Sequence, residues 1–232
     1  MFMTDDPVTF VSLTVAAVSI PAAAKSAAAP GTHLIGAGLF IATRDSSHWR
    51  FSSEAAIIAA GEKEQNLLLW LADRLPLADT LIGWQIDHRL VPALLDAAAH
   101  ADATIAHHFT LRLARALRHN VVDLAIDRGG AAASALWEVA GEAAIASPSM
   151  TANALLGNWS VGRLDLLRAD FGAEALAIWL LFLRQAQTMG LDAEDETLAW
   201  MRRRSSIHLM KSEPRALGAE RREIGIREER KK

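Results

Sequence analysis

Residues 83–95 read Gly83-Trp84-Gln85-Ile86-Asp87-His88-Arg89-Leu90-Val91-Pro92-Ala93-Leu94-Leu95. They sit where a short apolar strand, residues 80–86, passes into a helix that runs to about residue 99. Asp87 has the side-chain oxygen that an N-cap needs, and the spacing predicts it at the start of that helix.

Upstream lie three strand-like segments, residues 8–18, 32–43 and 49–53. The first two are β-branched and apolar, and Pro30-Gly31 supplies a turn between them. Gly36-Ala37-Gly38 falls inside a strand pattern, with no helix start and no third glycine, so it reads as close packing rather than a dinucleotide fingerprint. Residues 62–75 (EKEQNLLLWLADRL) have apolar residues at helical spacing and acidic residues in their first turn, and Pro76 closes them. Downstream come a strand over residues 121–126, leading to Gly129-Gly130, and then helices over 132–144, 151–156, 171–189 and 193–204. Three strands, helix, strand, helix, strand and then helices predict an α/β fold, a mixed central sheet flanked by helices.

The glycine, aromatic, proline and two leucines at Gly83, Trp84, Pro92, Leu94 and Leu95 resemble the second exonuclease motif of family-B DNA polymerase proofreading domains, G-[YF]-N-x-x-x-F-D-x-P-x-L-L. Gln85 stands at the asparagine position. Val122-Asp123-Leu124 resembles the next strand of that family, and residues 134–140 (SALWEVA) its S-L-x-x-[LV]-A helix. Asp170-Phe171-Gly172-Ala173-Glu174, followed by residues 179–184 (WLLFLR), resembles the third motif and its helix. The chain is thus similar, over about residues 8–190, to the DEDD (DEDDy) 3′–5′ exonucleases, above all to predicted bacterial exonucleases related to the polymerase domain. The resemblance implies a ribonuclease H-like fold in residues 1–192, with residues 193–232 a helical, basic extension.

Active members of that superfamily hold two divalent metals ~3.5–4 Å apart with four carboxylates. Carried over position by position, the first motif's two carboxylates fall on Ser12 and Thr14, the second motif's aspartate on Leu90, and the third motif's aspartate on Glu174. The third motif's tyrosine falls on Asp170. One carboxylate of four survives in kind, and hydroxyl or alkyl groups do not replace the hard oxygen ligands that magnesium or manganese require. The expectation is an exonuclease-like protein with a dismantled two-metal site and no cofactor, catalytically inactive, acting as a binding or scaffold subunit of a nucleic-acid-processing assembly. The alternative is an active magnesium- or manganese-dependent 3′–5′ exonuclease with a rearranged site drawn from Asp87, Asp123, Asp170 and Glu174, with Asp87 and Glu174 as the metal ligands.

The absence of cysteine rules out disulfides, thiolate zinc sites and cysteine nucleophiles, and fits a reducing, cytoplasmic setting. The apolar run from residue 8 to 24 follows Asp5 and Asp6 instead of a positive segment, so it reads as a buried strand and not a secretory signal. No run has the length of a membrane span. His107 and His108 are neighbours that point apart on a helix, Asn158-Trp159-Ser160 is a chance sequon, and Trp70, Trp137, Trp159 and Trp179 read as core. Charge is uneven. Eleven Lys/Arg against five Asp/Glu leave residues 201–232 at +6, so the rest carries −9 of a net −3. Arg202, Arg203, Arg204, Lys211, Arg221 and Arg222 are therefore the candidate contacts. They point to a protein partner through the extension, because the charges there are mixed and apolar residues recur, with nucleic acid as the other possibility.

Overall fold

A computed structural model describes residues 7–21, 31–46, 48–186 and 190–212. Strands β1 (Val8–Ile20), β2 (Gly31–Asp45) and β3 (His48–Ile57) form an antiparallel meander. Helix α1 (Gln65–Arg74) leads to β4 (Thr80–Gly83), which pairs parallel to β1. A single π-helical turn, Ile86–Leu90, then runs into α2 (Val91–Ala99) and α3 (Ala103–Ala116). Strand β5 (Asn120–Asp123) lies parallel to β4, and α4 (Leu136–Glu142), α5 (Ala152–Ser160), α6 (Leu164–Gln185) and α7 (Gly190–Ser212) follow. The result is one mixed sheet of order β3-β2-β1-β4-β5 with helices on both faces, the expected α/β class.

The central strand explains the layering. Val11, Leu13 and Val15 pack with α1, α2 and α3 on one face. Phe10 and Phe40 meet Trp179 and Phe182 of α6 on the other. Helix α6 lies unusually close to the strands, and the glycines of β2 allow it. A methyl group on Gly38 would stand 2.3 Å from the Phe171 carbonyl oxygen and 3.1 Å from Thr14 Cγ2, and one on Gly36 would stand 2.4 Å from the Phe171 ring. Residues 36–38 are a packing device, as their place in a strand implied.

Several boundaries differ from those read in the sequence. β4 ends at Gly83 because Gln85 takes the left-handed conformation, φ 54°, which breaks the strand. Asp87 caps nothing. Asp102 instead caps α3, accepting from the Thr104 N–H at 2.9 Å. Helix α3, with Phe109, Leu113 and Ala116 buried along one side, is an element whose bounds the sequence pattern did not yield, although His107 and His108 were read on a helix there. Helix α6 starts seven residues before the expected position 171. Glu64 is not used within α1: its carboxylate reaches β2, 2.9 Å from both His33 Nδ1 and the Leu34 N–H. The start of the extension also belongs to the core, since Ala193 and Thr197 are fully buried and Trp179 Nε1 donates to Thr197 Oγ1 at 3.0 Å. Among the described residues no helix is long and apolar enough to cross a membrane.

Because the α6 approach leaves no room at Gly38, Gly38→Ala should destabilise the protein by about 1–3 kcal/mol. Denaturant unfolding measures this, and an unchanged midpoint would refute the packing account.

Candidate functional site

Three elements bring the candidate residues to one cleft. Thr14 comes from the middle of β1, Leu90 from the end of the π turn, and Glu174 from the third turn of α6. Together with Arg89, Trp84 and Trp137 they line a space of about 310 Å³. Thr14 Oγ1 donates to Glu174 Oε2 at 2.5 Å, which locks strand to helix at the floor of the site.

The turn that delivers Leu90 is built with care. Gly83 must lack a side chain, since a methyl there would stand 2.7 Å from Ile86 Cγ1. Left-handed backbone at a non-glycine residue such as Gln85 is costly, on the order of 1 kcal/mol. Asp123, at the end of β5, offsets that cost. Its Oδ1 accepts from the N–H groups of Gln85 and Ala125 at 2.9 and 3.0 Å, and its Oδ2 accepts from that of Ile86 at 2.8 Å. Gln85 Nε2 adds contacts to the carbonyls of Gly130 and Ala131 at 3.2 and 3.3 Å. The strained turn is thus pinned from β5 and from the segment before α4.

The electrostatics centre on Glu174. Burial raises its carboxyl above the ordinary glutamate range, against the Thr14 hydrogen bond and the positive charge of Arg89, which lower it, and with a further upward push from Asp170. Asp170, one turn earlier on α6, is itself raised by burial.

The structure assembles only part of the expected set. Thr14, Leu90 and Glu174 meet in the cleft. Ser12 lies two residues from Thr14 on the same side of β1, fully buried, and its hydroxyl has no hydrogen-bond partner among the described residues. Asp170 is half-buried and outside the cleft lining. Asp87 is exposed and does not line the cleft. Asp123 is occupied by three backbone N–H groups. Among the described residues no three of His, Asp and Glu cluster as metal ligands do. One carboxylate, one hydroxyl and a guanidinium do not fit a pair of divalent cations, which need several anionic oxygens and repel Arg89.

Of the basic residues, Arg202, Arg203 and Arg204 are exposed on α7, with the Arg204 guanidinium 5.2 Å above the Trp200 ring. The Lys211 side chain and residues Arg221 and Arg222 lie outside the described residues. His107 and His108 are exposed on α3. Trp159 and Trp179 are core, but Trp137 is 38% exposed and forms a cleft wall instead. Arg89 and Trp137 are the cleft residues that sequence reasoning missed. Asp123 carried a readable signal for its real role, a strand-end Asp whose carboxylate bonds the N–H two residues on. Compared with family models, with curated proteins and with solved structures, the chain finds no match.

The raised Glu174 carboxyl has a consequence for stability. The folded state binds the proton more readily than the unfolded state, so stability is full below the unfolded pKa of about 4.3 and is lost as pH rises through the folded value. Glu174→Gln removes that loss. In unfolding measured across pH, the variant should gain on the parent as pH rises toward neutrality, and parallel curves would refute the assignment.

Proposed function

We propose that the protein is an exonuclease-like member of the ribonuclease H-like superfamily that has given up metal-dependent cleavage and serves as a binding or scaffold subunit of a nucleic-acid-processing assembly. The observation that carries this reading is the meeting of Thr14, Leu90 and Glu174 in one cleft, with Thr14 bonded to Glu174. These positions are far apart in the chain, and each was singled out by a motif that in active relatives supplies a metal ligand. The strand order β3-β2-β1-β4-β5, with β2 antiparallel to its neighbours and β4 and β5 parallel to β1, is also the order of that fold.

The chemistry left in the cleft supports binding over cutting. A hydroxyl and a leucine occupy ligand positions, and the remaining carboxylate is hydrogen-bonded to Thr14. We favour this over the rearranged alternative because Asp123 already accepts three backbone N–H groups and Asp87 does not line the cleft. The acidic body repels a phosphate backbone within about a Debye length, ~8 Å at physiological salt. The partner is therefore a protein, engaged through the basic and apolar extension beyond residue 192, with nucleic acid held elsewhere in the assembly.

Calorimetric titration with manganese should give no saturable heat, and a labelled single-stranded oligonucleotide should keep its length when incubated with protein and magnesium or manganese. Two tight manganese sites, or metal-dependent shortening from the 3′ end, would overturn the proposal.

A further inference from the structure

The sheet is closed by helices on both faces but open along one edge. The Ile58 N–H donates to the Ile35 carbonyl at 2.9 Å, one step beyond the Gly36–Ile57 pair of the β2–β3 ladder. Antiparallel ladders alternate, so that bond sets the phase. Arg50, Ser52, Glu54 and Ala56 turn their N–H and C=O groups toward β2. Trp49, Phe51, Ser53, Ala55 and Ile57 turn theirs outward. None of these five has a backbone hydrogen-bond partner on that side among the described residues.

Natural edge strands are usually blunted by proline, lysine, a bulge or shortness. β3 has ten residues, no proline, no lysine and unbroken register from Asp45–His48 to Gly36–Ile57, and the charges it does carry, Arg50 and Glu54, are opposite in sign. Its side chains are also self-complementary. Arg50 and Glu54 stand symmetrically about Ser52, while Trp49 and Phe51 at one end mirror Ala55 and Ser53 at the other.

We propose that β3 is a homodimerisation edge, two copies pairing antiparallel about a two-fold axis through Ser52 so that their sheets join. In that register Arg50 of each copy lies directly opposite Glu54 of the other, giving two cross-strand ion pairs on the side of α1. Phe51 faces Ser53 and Trp49 faces Ala55, so a large ring always meets a small side chain. Moving the axis by one residue leaves Arg50 opposite Ser52 or Ala56. Moving it by two sets Arg50 against Arg50 or Glu54 against Glu54, which is repulsive.

The local structure favours this register. Arg50 is 75% exposed and held at 2.7 Å by Asp45, and Glu54 is held at 2.9 Å by Arg74, so each pair across the axis extends an ion pair already ordered within its own copy. On the other face an open groove of about 600 Å³, lined in part by Ser53, Ala55, Gly172, Ala173 and Trp200, lies beside the small half of the strand. That groove lies at the seam the pairing creates, while Trp49 and Phe51 stay packed in the aromatic cluster of their own copy. The contact is isologous and occupies the β3 edge of each copy with that of the other, so pairing through β3 closes at two copies. The inference is independent of the nuclease-like reading.

Sedimentation velocity on the full chain across a micromolar concentration series tests it. The parent should show a reversible monomer–dimer equilibrium. Ser53→Pro deletes an outward N–H without touching the β2 ladder, and should leave a monomer with parental circular dichroism and melting temperature. Arg50→Glu should weaken the dimer about tenfold, from two attractive pairs turned repulsive. Adding Glu54→Arg should restore it. Should the proline variant fail to fold, the charge-reversal series decides alone. A parent that stays monomeric at every concentration, as an edge reserved for a different protein would, overturns the proposal. So does a dimer indifferent to charge reversal.

Discussion

The backbone of α6 at Phe171 rests on the glycines of β2, and most of the molecule depends on that contact. With Gly36 and Gly38 beneath it, the helix comes within a methyl radius of the sheet. At that depth Phe171 is fully buried against β1 and β2, Trp179 reaches the aromatic residues of β1, β2 and β3, and Glu174 comes level with Thr14. Any larger residue at 38 lifts the helix and separates the two halves of the cleft. The sheet thus sets the height of the helix, and the height of the helix sets the site.

Carboxylates in the molecule illustrate how environment separates roles. Asp123 accepts three backbone N–H groups and is spent on holding a strained turn. Glu174 gains one hydroxyl and the charge of a guanidinium against the cost of burial, and its proton affinity rises. The first is a structural staple. The second is a cleft carboxyl that burial holds above the ordinary glutamate range. Ser12 completes the picture from the opposite side, a buried hydroxyl without a partner among the described residues, which is the kind of polar group that a core retains at a cost of about 1–3 kcal/mol.

The sheet was legible because β-branched runs and an antiparallel meander leave a strong local pattern, and the three opening strands fall where the residues place them. The turn at Gln85 was not, because its left-handed residue is stabilised by Asp123, 38 residues away, and no local signal announces that. For the same reason Asp87 looked like a cap in sequence and is a solvent residue in space. The bounds of helix α3 were missed although Asp102 and the spacing of Phe109 and Leu113 mark them, since its other positions are polar and its alanines ambiguous. In the cleft, positions on regular elements, Thr14 and Glu174, were legible by motif. Arg89 and Trp137 enter the cleft only through the geometry of a turn and the exposed side of a short helix.

The bond between Thr14 and Glu174 joins residues 160 apart, and this orders events during synthesis. The β1–β2–β3 meander is complete by residue 57, yet the helix that covers its second face is not finished until residue 185. At ordinary translation rates that interval is roughly six to twenty-six seconds. Through it the nascent chain carries a bare apolar sheet face, including Phe10, Phe40 and the glycine notch, next to an unpaired edge. Burial of that face waits on the last third of the chain, so the ribosome-bound intermediate, more than the finished protein, is the form that needs a chaperone.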